Sequence, residues 1–187
     1  MVTRLFLVRH CQATGQAADA PLTPEGGMQA EQLADFLGDA GVDLLVSSPF
    51  TRAHTSIAPL ALRFGLEIEI DARLSERKLS DAWLPDWREH FRASFDDVDL
   101  CLPGGESSRA ATTRAVAALE NIQHRAASTA VIVTHGNLLT LILRSMDPRF
   151  GYADWRTLTN PDVFQVEMQD GRARIERIWK ADQSGST

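Results

Sequence analysis

The chain has 187 residues, 44% of them hydrophobic and 24% charged, which suits one globular domain that can bury a core. Lysine and arginine together number 19 and aspartate and glutamate 25, so the formal net charge is −6. This acidic balance argues against a nucleic-acid binder or an anionic-membrane binder, because both need a basic face. A local arginine cluster would still accept a small anion.

The compartment expected from the sequence is the cytoplasm. Cys11 and Cys101 have no metal-like spacing, and two cysteines predict no disulfide framework. The apolar run Leu5 to Val8 is too short for a signal peptide, and no stretch approaches the roughly 20 apolar residues of a membrane span.

In the first half of the chain, short apolar runs alternate with segments that carry helix caps. Thr23 and Pro24 predict a helix start, because threonine caps free amides and proline suits the first helical position. The expected elements are a strand at Thr3–Val8, a helix from Pro24 to Gly38 or Gly41, a strand at Val42–Ser47, a helix at Thr51–Phe64 closed by Gly65, and a short strand at Leu66–Ile70.

The second half begins with an irregular insertion, 71–105, in which aromatic residues at four-residue steps predict a helix. The last two strands flank Asp170 and Gly171, which are typical of a hairpin turn. The expected elements after the insertion are a helix from Ser107 or Ser108 to about Arg125, a strand at Ala130–Thr134, a helix at Asn137–Met146, and strands at Val163–Met168 and Arg172–Trp179.

This alternation predicts a three-layer α/β/α sandwich with a mostly parallel sheet and one antiparallel strand. Residues 1–181 are expected to form a single domain in which 71–105 is a cap-like insertion, and 182–187 a flexible tail.

Basic and imidazole side chains directly follow two of the apolar runs. Arg9 and His10 follow the first, and His135 and Gly136 follow the strand at Ala130–Thr134. Because ligands of parallel sheets bind beyond the carboxyl ends of the strands, these residues are expected to meet in one pocket. Such a pocket suggests phosphoryl chemistry.

Four segments, in this order, resemble the histidine phosphatase superfamily, which contains cofactor-dependent phosphoglycerate mutases and many phosphatases. They are Arg9-His10 after the first strand, SSPFTRA, LSERKLSDAW and VIVTHGN, spread over about the first three-quarters of the chain. The resemblance implies a phosphoglycerate mutase-like fold. With two arginines and two histidines supplying positive charge, no metal or other cofactor is expected.

By this resemblance His10 is the nucleophile, and its attack yields a phosphohistidine that water cleaves. Arg9 and Arg52 would hold the charged phosphoryl oxygens. His135 would donate to one of these oxygens, and Gly136 would let the backbone approach the ligand. The alternatives are a hydrogen-bonded core histidine at position 10, a solvated helix arginine at 52 and a helix cap at 135.

Glu76 matches the acid–base glutamate of the family, which protonates the leaving alkoxide and then activates water. The alternatives are a surface pair between Glu76 and Arg77, or a role for one of the neighbouring acids Glu69, Asp71 and Asp81.

Other positions depart from the family pattern or fit it loosely. Cys11 stands where glycine is usual, so its larger side chain is expected to narrow the loop beside His10, which could reduce activity or expose the site to oxidation. Gln16 replaces a usual asparagine, and its amide is expected to reach phosphate. Glu106 resembles part of a glycine–glutamate–serine segment and is expected to support a helix start. Zinc binding by His10, Cys11 and His135 is disfavoured, because adjacent ligands point in different directions.

The aromatic stripe of the insertion consists of Trp83, Trp87, Phe91 and Phe95. It is interpreted as one apolar helix face packed on the domain, as a cap over the pocket, or as both. In the second case Arg88 and Arg92, on an adjacent face, would meet an anionic substrate.

The short insertion between Glu76 and Glu106 favours a histidine acid-type phosphatase acting on small organic phosphate esters, because an open pocket lets water reach the phosphohistidine first. A cofactor-dependent phosphoglycerate mutase is one alternative, and a catalytically silent member that binds a phosphorylated ligand or a partner protein is another. The expected partner is a small phosphorylated metabolite. The sequence does not choose the substrate or the oligomeric state.

Overall fold

The computed structural model describes residues 4–125, 127–169 and 172–180. The predicted turn at Asp170–Gly171 and the predicted tail at 182–187 lie outside these residues. The strands are β1 (Arg4–Arg9), β2 (Leu44–Ser47), β3 (Ile68–Ile70), β4 (Thr129–Thr134), β5 (Asp162–Gln169) and β6 (Arg172–Arg177). The helices are α1 (Pro24–Phe36), α2 (Thr51–Phe64), α3 (Trp87–Asp96), α4 (Ser108–Gln123), α5 (Gly136–Met146) and α6 (Tyr152–Thr157), with a 3-10 turn at Ala72–Leu74.

All these strands join one sheet in the order β3-β2-β4-β1-β5-β6. Strand β5 pairs antiparallel with both β1 and β6, whereas the other pairs are parallel. The predicted α/β fold with a mostly parallel sheet and one antiparallel strand is therefore confirmed.

Alternating side chains of β1 face two separate apolar cores, as the two-residue period of a strand requires. Leu5 and Leu7 pack with buried residues of α4 and α5, and Phe6 and Val8 pack with buried residues of α1 and α2. The sheet is thus covered on both faces, and the carboxyl ends of its central strands are left at the edge of the sandwich.

The caps expected from the sequence set several helix ends. The Thr23 hydroxyl accepts a hydrogen bond from the amide of Gly26 (2.9 Å), with Pro24 in the first turn of α1. Helix α2 has the predicted bounds, and Gly65 ends it at φ 65°. Helix α1 ends at Phe36, before either glycine that was expected to end it.

The prediction for the aromatic helix was wrong at its start. Helix α3 begins at Trp87, and Trp83 lies outside it with 85% of its surface exposed. Pro85 accounts for this boundary, because proline cannot donate a backbone hydrogen bond and disfavours helical geometry in the residue before it. The short helix α6 was not predicted. No helix within the described ranges has the length and apolar character that crossing a membrane requires.

Candidate active site

The two histidines lie side by side because they follow paired strands. Arg9 of β1 is in register with Thr134 of β4, and the amide of His10 donates to the Thr134 carbonyl (3.0 Å). Beyond this pair the rings of His10 and His135 meet edge to face, with centroids 5.1 Å apart. The sheet therefore fixes the separation of the two imidazoles.

Hydrogen bonds fix the protonation of the His10 ring. Its Nδ1 lies 2.6 Å from the carbonyl oxygen of Cys11, which can only accept, so Nδ1 carries the proton. The lone pair is then on Nε2, where it accepts from Nε of Arg52 (3.1 Å). Burial, together with the weaker effect of the charges of Arg52 and Arg9, lowers the pKa of His10 to about 4, although the hydrogen bond to the Cys11 carbonyl opposes this shift. At neutral pH His10 is thus an uncharged imidazole, the state that a nucleophile requires.

Arg52 lies at the start of α2 and is only 1% exposed. Its Nη1 donates to the carbonyl oxygens of Gln16 (3.2 Å) and Ala17 (2.7 Å), in the loop after β1. The alternative of a solvated helix arginine is therefore wrong. The side chain of Gln16 is exposed and lines the cavity described below.

Arg9 is held by the segment that follows α6. Its Nη1 donates to the carbonyl oxygens of Leu158 (3.0 Å) and Thr159 (3.4 Å). The Nδ2 amide of Asn160 donates to the carbonyl oxygen of His10 (2.7 Å). The Nε of Arg9 is buried and has no hydrogen-bond partner among the described residues, so it remains able to bind a ligand.

His135 is fully buried and is anchored by Ser48 at the end of β2. Its Nε2 lies 2.8 Å from the Ser48 hydroxyl, and its Nδ1 is a buried atom without a partner in the described part of the chain. Burial lowers the pKa of His135 well below its usual value, so this ring is also neutral. The alternative that its side chain only caps α5 is wrong, since it makes no capping hydrogen bond there.

Glu76 reaches the same place from the insertion. One carboxyl oxygen accepts from the amides of Arg77 (2.9 Å) and Leu138 (3.0 Å), and the other from the amide of Asn137 (3.1 Å). Burial raises the pKa of Glu76, although these three amides and Arg9 oppose the rise. The carboxyl group thus lies at the amino end of α5, where it accepts from the amides two and three residues after His135.

A cavity of about 770 Å³ opens beside these groups, and its lining includes Arg9, His10, Glu76, Gly136 and Asn137. Arg52 and His135 are buried behind these residues and do not line it. A side chain at Gly136 would place its Cβ 3.1 Å from Nε of Arg9 and 3.3 Å from Nε1 of Trp155, so these two side chains would have to shift by a few tenths of an ångström to accept it. The volume is in the range of small-molecule sites.

The histidine phosphatase superfamily (branch 1) matches residues 5–180 of the chain. The chain belongs to this superfamily. It is 28% identical to a probable phosphoglycerate mutase of Escherichia coli over 95% of this chain and 88% of that protein. Its structure is similar to that of a mycobacterial glucosyl-3-phosphoglycerate phosphatase with inorganic phosphate, at 26% identity and a TM-score of 0.77, over 96% of this chain and 98% of that one.

A phosphoserine phosphatase variant from Entamoeba histolytica in complex with phosphoserine is 19% identical, with a TM-score of 0.76 over 93% of this chain and 95% of that one. At this identity the likeness shows the fold alone. The proteins to which this chain is similar thus include a phosphatase and a probable phosphoglycerate mutase.

The acids that were weighed against Glu76 are engaged elsewhere. Glu69 pairs with Arg125, Asp71 with Arg73 and Asp81 with Lys78. The surface pair between Glu76 and Arg77 is also wrong, because the guanidinium of Arg77 donates instead to the Glu106 carbonyl (2.8 Å) and the Ser94 hydroxyl (2.7 Å).

Glu106 supports the insertion. Its carboxylate pairs with Arg114 (2.7 Å), whose Nη1 also donates to the carbonyl oxygen of Ser75, next to Glu76. Its position before the N-cap Ser107 of α4 agrees with the predicted supporting role at a helix start.

The expectation for Cys11 was wrong. Its side chain is fully buried in the same core as Val8 and Leu33, and it does not line the cavity. Burial raises its pKa to about 11, so the thiol stays protonated and resists oxidation. Among the described residues no three His, Cys, Asp or Glu side chains are grouped to hold a metal ion.

Sequence reasoning missed four residues at this site: Ser48, Asn137, Trp155 and Asn160. Ser48 could have been found, because it directly follows the apolar run of β2 within SSPFTRA. Trp155 and Asn160 gave no comparable signal, since the 147–161 region has no strand pattern and meets the site only through the fold. Arg88 and Arg92 do not line the cavity, contrary to expectation.

Proposed function

We propose that the protein is a phosphomonoesterase that hydrolyses small organic phosphate esters through a phosphohistidine on His10. The observation that carries this proposal is the neutral His10 ring at the cavity, with its Nε2 lone pair facing Arg52. Glu76, which lies at the same edge of the sheet as His10, supplies the general acid and the general base. A cytoplasmic location and independence from metals belong to the same proposal.

In the first step, a phosphoryl oxygen takes over the Arg52 Nε–H from His10, and Nε2 attacks the phosphorus atom. The bond from phosphorus to the ester oxygen breaks, and protonated Glu76 gives its proton to the leaving alkoxide. The Nε of Arg9 and the Nδ1 of His135, which have no partner among the described residues, are suited to hold the other phosphoryl oxygens. Nδ1 of His135 is a donor when the Ser48 hydroxyl donates to Nε2.

In the second step, the ionised Glu76 takes a proton from water as the water oxygen attacks phosphorus. The bond from phosphorus to His10 Nε2 breaks, inorganic phosphate leaves, and Glu76 is again protonated. Water thus competes with any second alcohol for the phosphohistidine. The open cavity of about 770 Å³ favours water, and therefore hydrolysis over mutase transfer.

The test is phosphate release from p-nitrophenyl phosphate and a panel of phosphate esters, with and without EDTA. Wild type is expected to release phosphate in both conditions, and His10→Ala is expected to be inactive. His54→Ala is the matched control, because His54 is an exposed histidine on α2. Transfer to a phosphoglycerate after bisphosphate priming, without phosphate release, would support the mutase instead. Phosphate binding without phosphorylation of His10 would indicate the silent member.

A further inference from the structure

Part of the lining of the cavity is apolar. It consists of Leu79, Trp83, Leu84, Trp87, Phe91 and Trp155, here called the apolar wall. Trp83 is 85% exposed and Trp87 is 37% exposed, although both are large apolar side chains. Apolar surface that a protein leaves open at a concave site is typical of ligand binding.

The apolar wall is continuous with the reacting end of the site. The ring of Trp155 lies 4.4 Å from that of Phe91 and 6.4 Å from that of Trp87, measured between centroids. The same indole is close to Gly136 and Arg9 through its Nε1 atom. An ester with its phosphoryl group on His10 therefore has the wall within reach of its alcohol part.

The wall carries no cation that could bind a second acidic group of a substrate. Among the described residues that line the cavity, the arginines are Arg9 and Arg77, and no lysine is present. Arg9 belongs to the phosphoryl end, and the Nε and Nη1 atoms of Arg77 are used inside the protein. Arg88 lies over the ring of Trp87 (4.9 Å), outside the lining, and Arg92 lines a different cavity. A substrate carboxylate beside the six residues of the apolar wall would thus lose water without gaining an ionic partner from them.

We propose that the preferred substrates are phosphate monoesters of an uncharged alcohol with a bulky alkyl or aryl part. This inference rests on the proposed phosphomonoesterase function, because it concerns the leaving alcohol of that reaction. The phosphoryl group binds at His10, and the apolar part of the alcohol displaces water from the apolar wall.

The first test is the value of kcat/KM along the series from ethyl to hexyl phosphate. All members release a primary alkoxide of nearly equal basicity, so the series changes apolar area and leaves the chemistry constant. Each buried methylene can raise kcat/KM by up to about fourfold. We expect hexyl phosphate to exceed ethyl phosphate by at least about tenfold, allowing for incomplete burial.

Two variants assign the effect to the wall. Trp87→Ala and Trp83→Ala are expected to lower the ratio of hexyl to ethyl kcat/KM at least about threefold, since each removes part of the surface that the chain covers. Both residues are exposed enough for the variants to fold, which thermal unfolding would verify. Trp179→Ala is the matched control, because Trp179 packs on Phe36 in the other helical layer, and it should keep the wild-type ratio.

The second test compares glycerol 3-phosphate with 3-phosphoglycerate, which differ by a hydroxymethyl group against a carboxylate. We expect the uncharged alcohol to have the higher kcat/KM. A flat chain-length series, or a preference for 3-phosphoglycerate, in an enzyme that hydrolyses ethyl phosphate would overturn this inference and leave the phosphatase function standing. Inactivity towards every ester, p-nitrophenyl phosphate included, would overturn the proposed function itself.

Discussion

Burial of a neutral His10 makes the stability of the protein depend on pH. The folded state holds the pKa of His10 at about 4, whereas an unfolded histidine has a pKa of about 6.5. Below pH 6.5 the unfolded chain therefore binds a proton at His10 that the folded protein does not bind until about pH 4. The free energy of unfolding consequently decreases as the pH is lowered. The loss begins near pH 6.5, reaches about 2 kcal/mol at pH 5 and levels off below about pH 4.

The substitution His10→Gln removes this dependence, because an amide does not titrate and its oxygen can still accept from Arg52. Between pH 7 and pH 5 the free energy of unfolding of the variant should fall by about 2 kcal/mol less than that of wild type. Urea denaturation in phosphate-free buffers, followed by tryptophan fluorescence, measures both values. His54→Gln serves as the control and should follow wild type, since His54 is exposed.

Parallel pH dependences in wild type and His10→Gln, within about 0.5 kcal/mol, would refute the reasoning. They would mean that His10 takes up its proton equally in both states and is not held as a buried neutral base. The other buried imidazole, His135, is present in both proteins, and burial, the largest cause of its lowered pKa, acts in both, so that part of its contribution cancels in the comparison.

Three further outcomes follow from the contacts at the site. Glu76→Gln should give a burst of about one equivalent of nitrophenol from p-nitrophenyl phosphate. The steady-state rate after the burst should be lowered by about 10²- to 10⁴-fold, because the amide cannot activate water. An unchanged steady-state rate would contradict the role of Glu76 as the base. Ser48→Ala should lower kcat about tenfold, as expected for losing one buried hydrogen bond to His135, and a kcat equal to wild type would exclude this anchoring. Iodoacetamide should modify the exposed Cys101 and leave Cys11 intact with full activity, as peptide mass analysis would show; fast labelling of Cys11 would contradict its burial.

Much of the site could be predicted because its residues follow local signals. His10 and His135 end short apolar runs, and such runs become neighbouring strands of a covered sheet. Helix α2 had the predicted bounds, since Gly65 marks its end and the Ser48–Pro49 turn precedes it. These features depend on a few adjacent residues and on rules of strand order.

The remaining features depend on distant parts of the chain. Asn160 contacts His10 although the two residues are 150 positions apart in the sequence, and no local sequence pattern predicts such a contact. Helix α6 has only six residues, too few for an apolar repeat to show. The predicted start of α3 was wrong because the prediction followed the aromatic spacing from Trp83 onwards and gave no weight to Pro85, which disfavours a helix across that position.

The residues proposed to react and the residues proposed to select the substrate lie on two different kinds of structure. The proposed reacting groups His10 and His135 directly follow the central strands β1 and β4, whereas the apolar wall comes from the insertion and from α6. Substitutions in 79–91 can therefore retune which alcohol is accepted while the spacing of His10 and His135 stays constant. Natural or designed proteins that keep these strands and exchange the insertion would therefore differ in the alcohol they accept and share the same reaction.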